Sequence, residues 1–129
     1  MIGHQILLSL LKENFLIHAH FKEKKSRQNF LKSKNTIFYF FEITAVNIQE
    51  FLLKVNPDII INAAGVTIRR LEDSSLNQII FTNSLLPNIL NKWSEKHNCR
   101  LIHFSTDCVF SGKKGKYKEN DITDALDIY

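Results

Sequence analysis

The stretch LIHFSTDCVFSG (residues 101–112) opens as an apolar run, turns polar at Ser105, Thr106 and Asp107, and ends on a glycine. A short run that is apolar on both faces needs cover on both faces, which is the habit of parallel sheets layered between helices. In such sheets ligands bind in the crevice beyond the carboxyl ends of the strands. Ser105 and Thr106 stand at that end, so their hydroxyls are expected in the crevice and outside the core.

The flanking sequence follows the same plan. DIIIN (residues 58–62) is a second apolar run, and NIQEFLLKVN (residues 47–56) before it places Ile48, Phe51, Leu52 and Val55 on one helical face, with Pro57 as a stop. Between the two apolar runs, Leu76, Ile79, Ile80, Leu86, Ile89, Leu90 and Trp93 recur with helical period, and Pro87 predicts a kink or a restart. Upstream, FLIHAHF (residues 15–21) and TIFYFFEI (residues 36–43) read as strands. Ile2, Ile6, Leu7, Leu10 and Leu11 mark an amphipathic helix that begins almost at residue 1. Alternating helices and buried strands predict an α/β fold with a parallel sheet. Beyond Ser105 there is no strong period, and the chain has no internal repeat.

Composition sets the limits. With 129 residues, 44% hydrophobic and 23% charged, the chain is suited to one soluble globular domain or part of one. The net charge of +4 is concentrated in KEKKSRQNFLKSK (residues 22–34) and SGKKGKYK (residues 111–118). Such runs read first as solvated loops, then as phosphate-binding segments, and last as nucleic-acid contacts. Cys99 and Cys108 have no C-x-x-C spacing and follow no secretory leader, so free thiols in a reducing, cytoplasmic setting are expected. No apolar stretch is long enough for a bilayer. His18 and His20 share a strand face while His4, His97 and His103 are scattered, so no metal site is expected.

Three segments taken together, INAAG (residues 61–65), FSTDCVFSG (residues 104–112) and YKEND (residues 117–121) with the later Tyr129, carry a family resemblance. The chain resembles the extended short-chain dehydrogenase/reductases, and within them the dTDP-4-dehydrorhamnose reductase group, along its whole length. The resemblance implies a Rossmann-type doubly wound parallel sheet and an NAD(P)H-dependent reduction of a 4-keto-deoxysugar carried on a nucleotide, serving cell-surface polysaccharide synthesis. It assigns Thr106, with Ser105 beside it, to the substrate carbonyl and Tyr129 to proton donation. Asp107 and Cys108 fall on the substrate side. Asn62, Ala63, Ala64 and Gly65 fall along the cofactor, Asn83 supports the site, and Glu42 lies near the adenine.

The residue types suit that chemistry. Hydride reduction of a ketone leaves an alkoxide that needs a proton, and a tyrosine of pKa about 10 serves at neutral pH only beside a cation, which a Tyr-x-x-x-Lys pair supplies in the family. A hydroxyl opposite stabilises charge growing on the carbonyl oxygen. Taken alone, the Ser-Thr-Asp triple could equally cap a turn. Tyr117, Glu119 and Asp121 either touch substrate or order their loop, and Arg69 and Arg70 either meet a phosphate or face solvent. No histidine is placed beside Cys108, and a pocket-lining role suits it better than a nucleophile's.

The family's Gly-x-x-Gly-x-x-Gly turn follows its first strand. MIGHQ at the amino end offers only Gly3, matching the last of the three glycines, so the expectation is a partial NAD(P)-binding Rossmann domain over residues 1–129. It would lack its first strand, the lysine partner and the carboxyl-terminal substrate-binding region. In a sheet of order 3-2-1-4-5 that strand is central. FLIHAHF and DIIIN would then border a gap, with unpaired edges that favour instability, aggregation or filling by a partner strand. Lys22, Lys24, Lys25 and Arg27 after the first predicted strand favour NADPH over NADH. The expected partner is a nucleotide sugar, without membrane or nucleic acid, and a homo-oligomer is left open. Alternatives are a non-catalytic regulatory or binding homologue, and a nucleotide-sugar epimerase or dehydratase.

Overall fold

A computed structural model describes residues 2–24, 34–66 and 75–125. Helix α1 (Ile2–Leu10) presents Leu7 to strand β1 (Ile17–Phe21), where Ala19 is buried, and Leu8, Leu11, Ile17, Phe21 and Phe38 complete this small core. Strand β2 (Thr36–Phe40) lies parallel to β1, from Ile17 opposite Thr36 to Phe21 opposite Phe40. Both strands are shorter than the apolar runs predicted for them. Phe15 and Leu16 precede β1 and are 53% and 70% exposed.

Because side chains alternate along a strand, the other face of this pair carries His18, His20 and Tyr39. It packs on Phe51 of helix α2 (Asn47–Val55), with ring centroids 4.8 Å apart for Tyr39–Phe51 and 5.3 Å for Phe41–Phe51. The α2 helix opens on a reciprocal pair, Thr44 N–H donating to Asn47 Oδ1 at 2.8 Å and Asn47 N–H donating to Thr44 Oγ1 at 3.2 Å. It closes on Asn56 in the left-handed region, whose N–H reaches the Leu52 carbonyl, one residue before Pro57.

Strand β3 (Ile59–Asn62) runs parallel to β4 (Arg100–His103), with Ile60 opposite Leu101 and Asn62 opposite His103. The connection holds helix α3 (Leu76–Ile80), a π-helical turn (Phe81–Leu85) and helix α4 (Leu86–His97). The interruption predicted at Pro87 is this π turn. The Leu86 N–H bonds the Phe81 carbonyl five residues back, and Pro87, which has no N–H to give, sits in the first turn of the resumed helix. Ile48 and Leu52 of α2 meet Leu86, Leu90 and Trp93 of α4 in the main core, over Ile60 and Leu101.

The four strands among the described residues form two separate two-stranded parallel sheets, β1–β2 and β3–β4. Among the described residues no backbone ladder joins β1 to β3. Helix α2 links the pairs, with Phe51 on one and Leu52 on the other. Helix α1 links them on the opposite side, where Gly3 abuts Ala63 just past β3. Ile59, Ile102 and Phe104 stay exposed on the face of β3–β4 turned away from α4. Among the described residues no helix is long and apolar enough to cross a membrane.

Candidate active site

The site is built at the carboxyl ends of β3 and β4. Asn62, the last residue of β3, is 5% exposed. Its Oδ1 accepts from the Ala64 N–H at 3.1 Å and its Nδ2 lies 3.1 Å from Nδ1 of His103, its register partner on β4. Asn83, inside the π turn, holds the far end of the same loop: Val66 N–H donates to its Oδ1 at 2.9 Å and its Nδ2 donates to the Val66 carbonyl at 3.0 Å. Between these anchors Ala63, Ala64 and Gly65 are exposed, presenting backbone and small side chains. A Cβ on Gly3 would lie 3.1 Å from Ala63 Cβ, so the amino-terminal turn of α1 meets the loop at a distance only glycine permits without adjustment.

Beyond β4, the Phe104 N–H continues the ladder to the Asn62 carbonyl at 3.3 Å, and Ser105 and Thr106 follow, both exposed. Thr106 is extended, and its Oγ1 accepts from the Cys108 N–H at 3.2 Å, capping a 3-10 turn (Asp107–Val109). The capping role and an exposed hydroxyl at the strand mouth thus coexist, because the cap uses the oxygen as acceptor and leaves its O–H as donor. That O–H lies 3.5 Å from Asp107 Oδ1, and the Cys108 thiol is 3.8 Å from the same atom. Cys99 and Cys108 are both free, and burial pushes the Cys99 thiol pKa up.

The following loop orders itself. Tyr117 stacks on Phe110 with centroids 4.5 Å apart, and its hydroxyl accepts from the Lys114 N–H at 3.0 Å. Asp121 accepts from Lys114 Nζ at 2.6 Å and from the Lys118 N–H at 2.8 Å, and these hydrogen bonds hold its carboxyl below the usual range. Asp124 clamps Ser111 through Oγ at 2.6 Å and N–H at 2.7 Å, and is likewise held low. Gly112 and Gly115 adopt positive φ of 79° and 65°, which the turns of this loop require. Tyr117 and Asp121 order the loop, and Glu119 is exposed.

Glu42 forms an exposed ion pair with Lys22 at 3.0 Å, so the acid assigned to the adenine side and the first lysine of the basic run meet each other. Tyr129, Arg69, Arg70, Lys25 and Arg27 lie outside the described residues. Two features escaped the sequence reading: the cross-strand Asn62–His103 contact, which needs the strand register, and the Ser111–Asp124 clamp, which spans thirteen residues of aperiodic loop. Among the described residues no cluster of His, Cys, Asp and Glu has the geometry of a metal site.

The family model described as the RmlD substrate binding domain matches residues 3–129. The chain belongs to that family. Within it, the chain is similar to the dTDP-4-dehydrorhamnose reductase of Aggregatibacter actinomycetemcomitans, 38% identical over 74 residues, covering 57% of this chain and 25% of that protein. It is also similar to the dTDP-4-dehydrorhamnose reductase of Shigella flexneri, 31% identical over 83 residues, covering 64% of this chain and 28% of that protein. A crystal structure of a hypothetical dTDP-4-dehydrorhamnose reductase from Sulfolobus tokodaii superposes with a TM-score of 0.68 at 24% identity, over 93% of this chain and 41% of that one. The match to curated relatives thus spans about a quarter of their length. The fold of this RmlD-family chain is α/β with parallel strands, of the doubly wound Rossmann type.

Proposed function

We propose that this chain is part of an NADPH-dependent reductase of a nucleotide-linked 4-keto-deoxysugar, with residues 1–129 forming part of its cofactor-binding domain. The observation that carries the reading is that the Asn62–Val66 loop and the Ser105–Thr106 pair leave the carboxyl ends of adjacent parallel strands, within a chain of the RmlD family. The names of the two curated relatives support the substrate class.

The residues present fit a dinucleotide. Ala63, Ala64 and Gly65 are exposed and small, Gly3 brings the start of α1 against them, and the first turn of α1 carries no acidic residue to repel a phosphate. Gly3, Ala63 to Gly65 and Ser105 would hold it, with Glu42 toward the adenine. Lys24 is exposed toward solvent, and the basic run that contains it, residues 22–34, favours the 2′-phosphate of NADPH. The chemistry such a cofactor supplies is hydride delivery to the carbonyl carbon of the sugar. Thr106 donates its hydroxyl proton in a hydrogen bond to the carbonyl oxygen and steadies the charge that develops there. Tyr129 gives the proton that turns the alkoxide into an alcohol. Asp107 and Cys108 line the substrate side, and a nucleotide sugar is the partner the reading requires, in the cytoplasm.

The test is calorimetric titration of the purified chain with NADPH and NADH, followed by NADPH oxidation on a dTDP-linked 4-keto-6-deoxysugar. The expected result is tighter binding of NADPH than NADH, with turnover lowered at least about a hundredfold in Thr106→Val, the loss typical of an oxyanion donor. Absence of binding to either nucleotide overturns the reading, and binding without turnover in a protein that also carries the lysine and the substrate-binding region favours the non-catalytic alternative.

A further inference from the structure

We infer that His103 is a positioning residue that sets the shape of the 62–66 loop by holding the side chain of Asn62. The inference deepens the reading of that loop as the cofactor-facing segment and rests on it for its consequence, while the contact itself rests on geometry alone.

Asn62 is nearly fully buried, so both ends of its amide need partners. Its Oδ1 is committed to the Ala64 N–H at 3.1 Å, which fixes which way round the amide stands and turns Nδ2 toward His103. An amide nitrogen only donates, so Nδ1 of His103 must accept, and the neutral ring carries its proton on Nε2. Parallel register makes the contact repeatable, because Asn62 and His103 are opposite one another at the ends of β3 and β4. Without an acceptor at the Nδ1 position, a buried amide N–H is orphaned. The side chain relieves this by rotating toward water, and rotation releases Ala64. The other anchor, Asn83 on Val66, is untouched by that event. His103 thus governs the Ala63–Ala64 half of the loop, and Asn83 governs the Val66 end.

The test compares the wild-type chain with His103→Phe, which keeps a ring but has no acceptor, and His103→Asn, whose Oδ1 can stand where Nδ1 stood. Amide hydrogen exchange is read at Ala64 and Val66, and NADPH affinity by calorimetry. In H103F, exchange at Ala64 is expected to rise on the order of tenfold with Val66 unchanged, and NADPH affinity to fall by a similar factor. In H103N both are expected to return to wild-type values, a rescue that mere ring packing cannot give. Unchanged exchange at Ala64 in H103F, or an H103N as impaired as H103F, overturns the inference. Should H103F fail to fold, His103→Leu gives the same comparison. Faster Ala64 exchange with no NADPH binding even in the wild type upholds the positioning role and rejects the cofactor reading.

Discussion

Replacing Asn83 by alanine tests the link between the π turn and the loop it holds. The wild-type side chain makes two hydrogen bonds to Val66, at 2.9 and 3.0 Å, and Val66 is 8% exposed. Truncation leaves an N–H and a carbonyl of a buried residue without partners, each costing about 1–3 kcal/mol. Water can reach in beside the exposed residues 63–65, so the lower half of that range applies and the total is about 2–4 kcal/mol. This is a large share of the roughly 5–15 kcal/mol that holds a domain folded. With a urea slope of about 1–3 kcal/mol per molar, the unfolding midpoint of Asn83→Ala is expected to fall by about 0.7–4 M. Asn83→Asp sharpens the test. It keeps an acceptor for the Val66 N–H but sets a carboxylate against the Val66 carbonyl, so the folded state disfavours its charge and raises its pKa. Stability lost by N83D at neutral pH is then regained as pH falls through that raised value, because protonation restores a donor. A midpoint for N83A within about 0.2 M of wild type, far below the worked shift, would refute the reasoning. So would an N83D variant with no recovery in acid.

Two further outcomes are expected. Gly3→Ala places a Cβ 3.1 Å from Ala63 Cβ, while alanine gains about 1 kcal/mol of helix propensity. Thermal melting should then change little while NADPH affinity drops, and a shifted melt with unchanged NADPH affinity contradicts the close-approach role. Burial lowers the pKa of His20, with the 2.8 Å hydrogen bond to the Phe41 carbonyl opposing it more weakly. The unfolded chain therefore takes up more protons, so stability is full above about pH 6.5 and declines as pH falls through that value. Circular dichroism melts across that range should show the decline in wild type and a flatter profile in His20→Gln; equal slopes would remove His20 as the cause.

The fold was legible where apolar runs meet helical periods. DIIIN and the apolar start of LIHFSTDCVFSG fall in β3 and β4, and the faces named from spacing, Ile48 with Leu52 and Leu86 with Leu90 and Trp93, are the core. Strand limits were less legible, because Phe15 and Leu16 are apolar yet exposed, and hydrophobicity alone does not tell a strand from its approach. Pro87 announced an interruption but not its kind. The π turn depends on where Leu86 finds a carbonyl, and Asn83 within it is turned toward a loop seventeen residues earlier in the chain. At the site, motifs identified Asn62 and Thr106, yet the partners that fix them emerge only when two strands are brought into register.

The division of the strands into two pairs also bears on how the chain gains its structure. Register partners in β1–β2, such as Ile17 and Thr36, lie 19 residues apart, whereas Asn62 and His103 lie 41 residues apart with α4 between them. Closing the shorter loop costs less entropy, so the α1–β1–β2 unit can assemble early and the β3–α4–β4 unit follows on its own clock. No continuous ladder transmits order between them, and the coupling passes through packing on α2 and the touch of α1 at Ala63. The chain should open as two foldons with separate free energies, and a loosened α2 would uncouple them before either melts.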